Sequence, residues 1–156
     1  MKKIIEINPD ACTGCMYCEN VCSFEHTSEV NPARARINII KFEKLGLSVP
    51  MVCNQCEDPP CMDVCPTGAL YVDPATNILR VKDALCIGCK ACMIACPFGA
   101  VKIDPITKKA VKCDLCGGDP LCVKYCVTGA LRYVETARAF SAKRLKKARE
   151  VTAQLE

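Results

Sequence analysis

Sixteen cysteines in 156 residues, every one belonging to a group of four, constrain this chain more than any other feature. The groups are Cys12, Cys15, Cys18, Cys22; Cys53, Cys56, Cys61, Cys65; Cys86, Cys89, Cys92, Cys96; and Cys113, Cys116, Cys122, Cys126. Cysteine at about a tenth of a chain signals a scaffold held by sulfur. The hydrophobic share of 51% includes those cysteines, and there are only four Tyr, four Phe and no Trp. That is thin material for the core of a domain of this length. Pro, Gly and charged residues occur at ordinary levels, which excludes disorder and collagen-like sequence.

The first and third quartets are spaced C-x2-C-x2-C-x3-C, while the second and fourth lengthen the middle gap to four and five residues. Three cysteines on a tight loop can hold three corners of one cubane. The fourth, at the start of the next helical turn, points away and serves the other cluster of a pair. Such motifs come in even numbers, as they do here. Structural zinc uses two separated C-x2-C knuckles and has no need of the third and fourth cysteines, and disulfides fit the spacing less well still. The quartets therefore point to four 4Fe-4S clusters. Pro66 and Pro97 follow the second and third quartets and stop the helix there. Ser23 and Val127 replace that proline in the first and fourth, so a differently shaped turn is expected at both.

Between quartets the pattern is of short strands and turns. Two alternating runs flank Asp73-Pro74-Ala75-Thr76-Asn77, and two more flank Asp104-Pro105-Ile106-Thr107-Lys108, each a hairpin signature. The longest insertion, between Glu25 and Val52, predicts a third hairpin from Ala35–Glu43 and Leu47–Val52, turning at Gly46. Thr136 to Leu155 has an apolar stripe (Ala137, Phe140, Leu145, Ala148, Val151, Leu155) opposite basic residues including Lys143, Arg144 and Lys147, and predicts a helix. With Phe140 its single aromatic, that helix suits packing or docking better than nucleic acid or a membrane surface.

The formal charge of +4 counts the thiols as neutral. Sixteen thiolates in four clusters would bring it to about −4 oxidised and about −8 reduced, so the apparent basicity does not indicate a nucleic-acid partner. No run approaches a membrane span, Glu6 and Asp10 interrupt any signal-like stretch, and no twin-arginine pair is present, so a cytoplasmic location is expected. His26, the single histidine, is expected to be exposed or capping, since four complete cysteine sets leave no need for imidazole. There is no G-x-G-x-x-G, P-loop, G-x-S-x-G, His-carboxylate metal set or C-x3-C-x2-C. The expectation is a non-catalytic electron carrier, with Lys90, Lys112 and Lys124 as nearby charges that set potential.

At Cys53-Asn-Gln-Cys-Glu-Asp-Pro-Pro-Cys61, Val64-Cys-Pro-Thr-Gly-Ala69 and Lys112-Cys-Asp-Leu-Cys-Gly-Gly-Asp-Pro-Leu-Cys122, the chain resembles the four-cluster ferredoxin subunits of molybdenum and tungsten oxidoreductases. It is most similar to the small subunits beside tungsten-containing aldehyde oxidoreductases and the related benzoyl-coenzyme A reductases. The resemblance implies an α+β fold of two pseudo-symmetric two-cluster modules with short hairpins. It implies an outer module from 1–34 with 110–135, a hairpin insertion at 35–52, an inner module at 53–109, and the basic helix at 136–156. Carried over by motif, Cys12, Cys15, Cys18 and Cys126 would hold one cluster, and Cys113, Cys116, Cys122 and Cys22 its neighbour. Cys53, Cys56, Cys61 and Cys96, then Cys86, Cys89, Cys92 and Cys65, would hold the inner pair. Spacing alone equally allows tandem pairing, first quartet with second and third with fourth.

The implied function is a relay of single electrons between a catalytic tungsten or molybdenum subunit and a flavin subunit or soluble ferredoxin. Clusters in a line also suggest end-to-end self-association. The alternatives are a free-standing polyferredoxin serving several enzymes and, from a different class, a zinc-stabilised interaction module.

Overall fold

The computed structural model describes residues 2–137. Besides four 3-10 turns, twelve short helices and strands alternate among the described residues. They are β1 (Lys3–Ile7), α1 (Tyr17–Thr27), β2 (Asn38–Phe42), β3 (Leu47–Met51), α2 (Pro60–Asp63), β4 (Leu70–Val72), β5 (Leu79–Val81), α3 (Ala91–Ala95), β6 (Lys102–Ile103), β7 (Ala110–Val111), α4 (Leu121–Lys124) and β8 (Leu131–Glu135). This is the expected small mixture of helix and strand. The helix predicted from Thr136 onward falls, past Ala137, outside the described residues.

The strands form four separate antiparallel pairs, β1–β8, β2–β3, β4–β5 and β6–β7. Three are the predicted hairpins, and two of those share one turn. Asp73 Oδ1 accepts from the Ala75 N–H at 2.9 Å, and Asn77 closes the turn at φ 55°. Asp104 Oδ1 accepts from Ile106 and Thr107 at 2.8 and 2.7 Å, and Lys108 closes at φ 58°. In each, the aspartate supplies the acceptor and the following proline presets φ. The insertion hairpin β2–β3 turns through Gly46 at φ 61°, as expected.

The β1–β8 pair was not foreseen. Ile5 faces Tyr133 and Ile7 faces Leu131, so the two ends of the described chain lie side by side. Ile4, Ile5 and Leu131 are buried, and Thr136 donates back to the Lys2 carbonyl at 3.0 Å. The helices pair in the same sense, α1 against α4 and α2 against α3.

Two buried clusters result. The larger gathers Ile5, Ala35, Ile37, Val52, Ile78 and Leu115 with Cys18, Cys22, Cys53, Cys113 and Cys122. The smaller gathers Leu70, Leu79, Val101 and Ala110 with Cys61 and Cys92. Sulfur is thus part of both cores, which answers the shortage of aromatic residues. Among the described residues no helix is long and apolar enough to cross a membrane.

Candidate metal centres

Each quartet begins on a loop bent by left-handed backbone, which turns successive side chains and N–H groups toward one side. In the first and third the bends fall at equivalent places. Gly14 and Gly88 both have φ 69°, and the residues after the second cysteine, Met16 and Lys90, have φ 61° and 67° and start α1 and α3. In the second and fourth the bend falls on Gln55 and Leu115, at φ 50° and 55°. Gly14 and Gly88 have a second reason to be glycine: a Cβ would run into Ser48 of β3 at the first and the Lys108 carbonyl of the β6–β7 turn at the second. The hairpins therefore sit hard against the cysteine loops.

All sixteen cysteines are free thiols. Cys12, Cys15, Cys18 and Cys126 line one cavity whose other walls include Ile39, Pro50, Tyr125 and Leu131. Cys65, Cys86, Cys89 and Cys92 line another. The remaining eight also assemble across quartets. Cys56 and Cys61 both lie within the electrostatic reach of Cys53 and Cys96. Cys122 lies within reach of Cys113, Cys22, Cys116 and Cys18. In both cavities three thiols of one quartet meet the last thiol of another.

Backbone N–H groups aim at the sulfurs. Arg36 donates to Cys22 at 3.3 Å, Ala69 to Cys65 at 3.2 Å, Ala110 to Cys86 at 3.3 Å and Ala100 to Cys96 at 3.4 Å. Gln55 and Leu115 donate to Cys53 and Cys113, each at 3.4 Å. Burial pushes the thiols of Cys18 and Cys113 up to about 12 and that of Cys61 up to about 11. At Cys65 burial is outweighed by the N–H groups of Leu70, Thr67 and Ala69 and the Thr67 hydroxyl, which bring the thiol down to about 7. Thiolates in the raised sites need a metal to hold them deprotonated. Four sulfurs around apolar space, with amides aimed at sulfur, suit 4Fe-4S clusters.

The last cysteine of three quartets opens the same turn. Gly68, Gly99 and Gly129 donate to the carbonyls of Cys65, Cys96 and Cys126 at 3.2, 3.2 and 3.1 Å, with φ of 62°, 59° and 65°. The differently shaped turn expected at Val127 is therefore absent, because Gly129 supplies the left-handed closure and proline is dispensable. The expectation at Ser23 holds. There α1 continues to Thr27, and Ser23 turns inward, donating to the Asn20 carbonyl at 2.9 Å and accepting from the Asn31 N–H at 3.1 Å.

His26 is neither exposed nor a cap. Its ring lies against the Cys22 carbonyl at 2.8 Å and joins Asp114 at 3.0 Å, while Arg36 holds the other Asp114 oxygen at 2.7 Å. Burial opposes charge on the imidazole, but Asp114 overrides it and raises the ring to about 10; the same partners hold the Asp114 carboxyl well below the usual range. His26, Asp114 and Cys116 place ligand atoms within 4.8 Å of one another, so a His-carboxylate group exists after all. Its imidazole and carboxylate are spent on each other and on Arg36.

The residues missed from sequence lie between the second and fourth quartets. Gln55, buried, donates to the Cys113 carbonyl at 2.7 Å and accepts from Leu79 at 2.9 Å. Its signal was a polar residue in a C-x2-C loop where the fourth quartet carries Leu115. Of the three lysines read as tuning charges, Lys112 is buried here, Lys124 is exposed and paired with Asp119, and Lys90 is at the start of α3.

The sequence profile of the 4Fe-4S dicluster domain matches residues 46–136, and a second profile of the same description matches residues 11–70. The polyferredoxin-like subunit of an aliphatic sulfonate oxidoreductase from Pyrococcus furiosus is 41% identical over 122 residues, covering 78% of this chain and 70% of the relative. The beta subunit of the NADH-dependent phenylglyoxylate dehydrogenase of Aromatoleum evansii is 34% identical and covers 88% of this chain, which spans only 31% of that larger protein. A chain in the active site complex BamBC of benzoyl coenzyme A reductase, solved with benzoyl-CoA, superposes with a TM-score of 0.51 at 27% identity, covering 99% of this chain and 96% of that one.

Proposed function

We propose, from the premise that the chain belongs to the 4Fe-4S dicluster domain family, that it is a linear four-cluster relay dedicated to one catalytic partner. The chain is an iron-sulfur electron-transfer subunit of the kind found in oxidoreductase complexes, with sixteen cysteines for four 4Fe-4S clusters. Each cluster, when bound, exchanges one electron at a time.

The ligand sets are the nested ones. Cys12, Cys15, Cys18 and Cys126 hold the first; Cys22, Cys113, Cys116 and Cys122 the second; Cys53, Cys56, Cys61 and Cys96 the third; Cys65, Cys86, Cys89 and Cys92 the fourth. The two cavities, each lined by three thiols of one quartet and the last of another, support this over tandem pairing. The outer unit is 1–34 with 110–135, and the inner unit is 53–109. The packing of α1 on α4 and of α2 on α3 supports that division, and the repeated Asp-Pro-x-Thr turns and matching left-handed positions support pseudo-symmetry.

One observation carries the relay. Cys15 and Cys89 are the exposed cysteines, and they fall in the first and fourth sets, while Cys53, Cys61, Cys113 and Cys122 of the middle sets are buried. Sets one and two share α1 and α4, three and four share α2 and α3, and two and three meet where Cys113 approaches Cys53. Electrons enter and leave at the two ends. The catalytic partner is a tungsten or molybdenum subunit, and the other end serves a flavin subunit or soluble ferredoxin. Relatives named as oxidoreductase and active-site-complex components support a fixed partner.

The test is elemental analysis of tagged protein purified without oxygen from its own host. About 16 iron atoms per chain, with tungsten or molybdenum and a co-purifying large subunit, are expected from four cubanes and that partner. Iron without a second metal or companion would replace this reading with a free polyferredoxin, and a colourless zinc protein would overturn it.

A further inference from the structure

Lys112 is 2% exposed and among the largest fully buried side chains of the molecule. A buried charge is costly unless an opposite charge compensates it. Its Nζ donates to the Leu79 carbonyl at 2.7 Å and the Cys113 carbonyl at 2.9 Å, which satisfies hydrogen bonds and leaves the charge itself unbalanced. None of the ion pairs among the described residues includes it. Gln55 completes the same knot, holding Cys113 O and Leu79 N, and is neutral.

What surrounds its charge instead is loop that carries sulfur. Its Nζ bonds the Cys113 carbonyl, and the same carbonyl accepts from Gln55 of the loop that carries Cys53 and Cys56. These cysteines belong to two different sets, the third and the second, one in each ferredoxin unit. An ammonium placed for carboxylate pairing would not sit at the seam between two sulfur sets with only carbonyls for company.

We propose that Lys112 is a built-in counter-ion shared by the two middle clusters, raising both reduction potentials together and leaving the two end clusters alone. This rests on the ligand assignment above. Adding an electron to either middle site adds negative charge beside a desolvated cation, in a medium where such an interaction is screened far less than at the surface. One residue thereby acts on both sites at the unit junction, where one electron must cross from one ferredoxin unit to the other.

The experiment is an anaerobic redox titration of the full chain, followed by electron paramagnetic resonance, comparing wild type with Lys112→Gln. Glutamine removes the charge and keeps a donor for the carbonyls. With iron still at the wild-type count, two of the four potentials are expected to fall by at least a factor of ten in the one-electron equilibrium, about 59 mV. The other two stay in place. Four unchanged potentials, or a shift common to all four, would overturn the proposal. If Lys112→Gln loads poorly, Lys112→Arg decides. Full loading with unchanged potentials in arginine, against loss in glutamine, supports a required charge, and loss in both assigns Lys112 to packing alone. A wild-type protein without iron would instead defeat the relay reading, independently of Lys112.

Discussion

Two glycines of the third quartet separate the cost of a backbone shape from the cost of a contact. Gly99 has φ 59° and a Cβ there would meet nothing within 4 Å. Gly88 has φ 69° and a Cβ there would strike the Lys108 carbonyl. Gly99→Ala therefore bears only the left-handed penalty, about 1–2 kcal/mol. Gly88→Ala bears that penalty and an overpacking term of about 1–3 kcal/mol, because the obstacle is backbone and cannot rotate away. At about 2–4 °C per kcal/mol for a chain of this size, Gly99→Ala should lower the unfolding temperature by about 2–8 °C and Gly88→Ala by about 4–20 °C. The assay is an anaerobic thermal scan of the loaded proteins by far-ultraviolet circular dichroism, with cluster absorption followed in parallel. All scans run at one rate, since cluster loss makes unfolding irreversible. Equal losses at the two positions would refute the claim that the β6–β7 turn is pressed onto the cysteine loop.

Three further outcomes follow from the same geometry. Cys65→Ala should remove or degrade the cluster set otherwise formed by Cys86, Cys89 and Cys92, visible as the loss of one spectroscopic species; loss of a set containing Cys12 would break the nested assignment. Asp104 is buried, which opposes its charge, but Arg34 and the N–H groups of Ile106 and Thr107 bring its carboxyl down to about 2. A depressed carboxyl stabilises the fold above its unfolded value of about 4 and loses that contribution as pH falls toward 2. The difference in unfolding midpoint between wild type and Asp104→Asn should thus be level from pH 8 to 5, and closure already by pH 6 would implicate a different group. Stripping iron with a chelator should abolish cooperative unfolding, because Cys18, Cys22, Cys53, Cys113 and Cys122 are core residues; a sharp transition in the iron-free chain would show that apolar packing suffices.

What the sequence disclosed is what local spacing encodes. The quartets and the three hairpins are written within stretches of about a dozen residues, in cysteine intervals and in Asp-Pro-x-Thr turns. The shared turn at Val127 was equally available, in the Thr-Gly-Ala that follows both Cys65-Pro66 and Cys126-Val127. Glycine, at Gly68 and Gly129, closes the turn whether or not proline precedes it. The β1–β8 pair was hidden because five-residue strands at opposite ends of the described chain carry no turn between them to announce a register. His26 meeting Asp114, and Lys112 with Gln55 at the Cys113 carbonyl, are contacts across the fold. A lysine beside a cysteine motif suggests a surface charge by composition, and only the packing shows it to be interior.

The pairing of the chain ends bears on why so thin a core suffices. On the nested assignment the outer cluster sets draw ligands from Cys12–Cys22 and from Cys113–Cys126, so ligation closes a loop of roughly 100 residues. Constraint on the unfolded chain grows with the loop closed, and on the chain-entropy account a cross-link over roughly 100 residues contributes about 4.7 kcal/mol. Tandem pairing of the first quartet with the second would close far shorter loops and leave the two halves joined only by packing. The nested order places the long-range staple on the segment that also carries β1 and β8, where Ile4, Ile5 and Leu131 are buried. On that assignment sulfur ligation and the larger buried cluster, which includes Ile5 and Leu131, act on the same part of the molecule, where the two ends of the described chain meet.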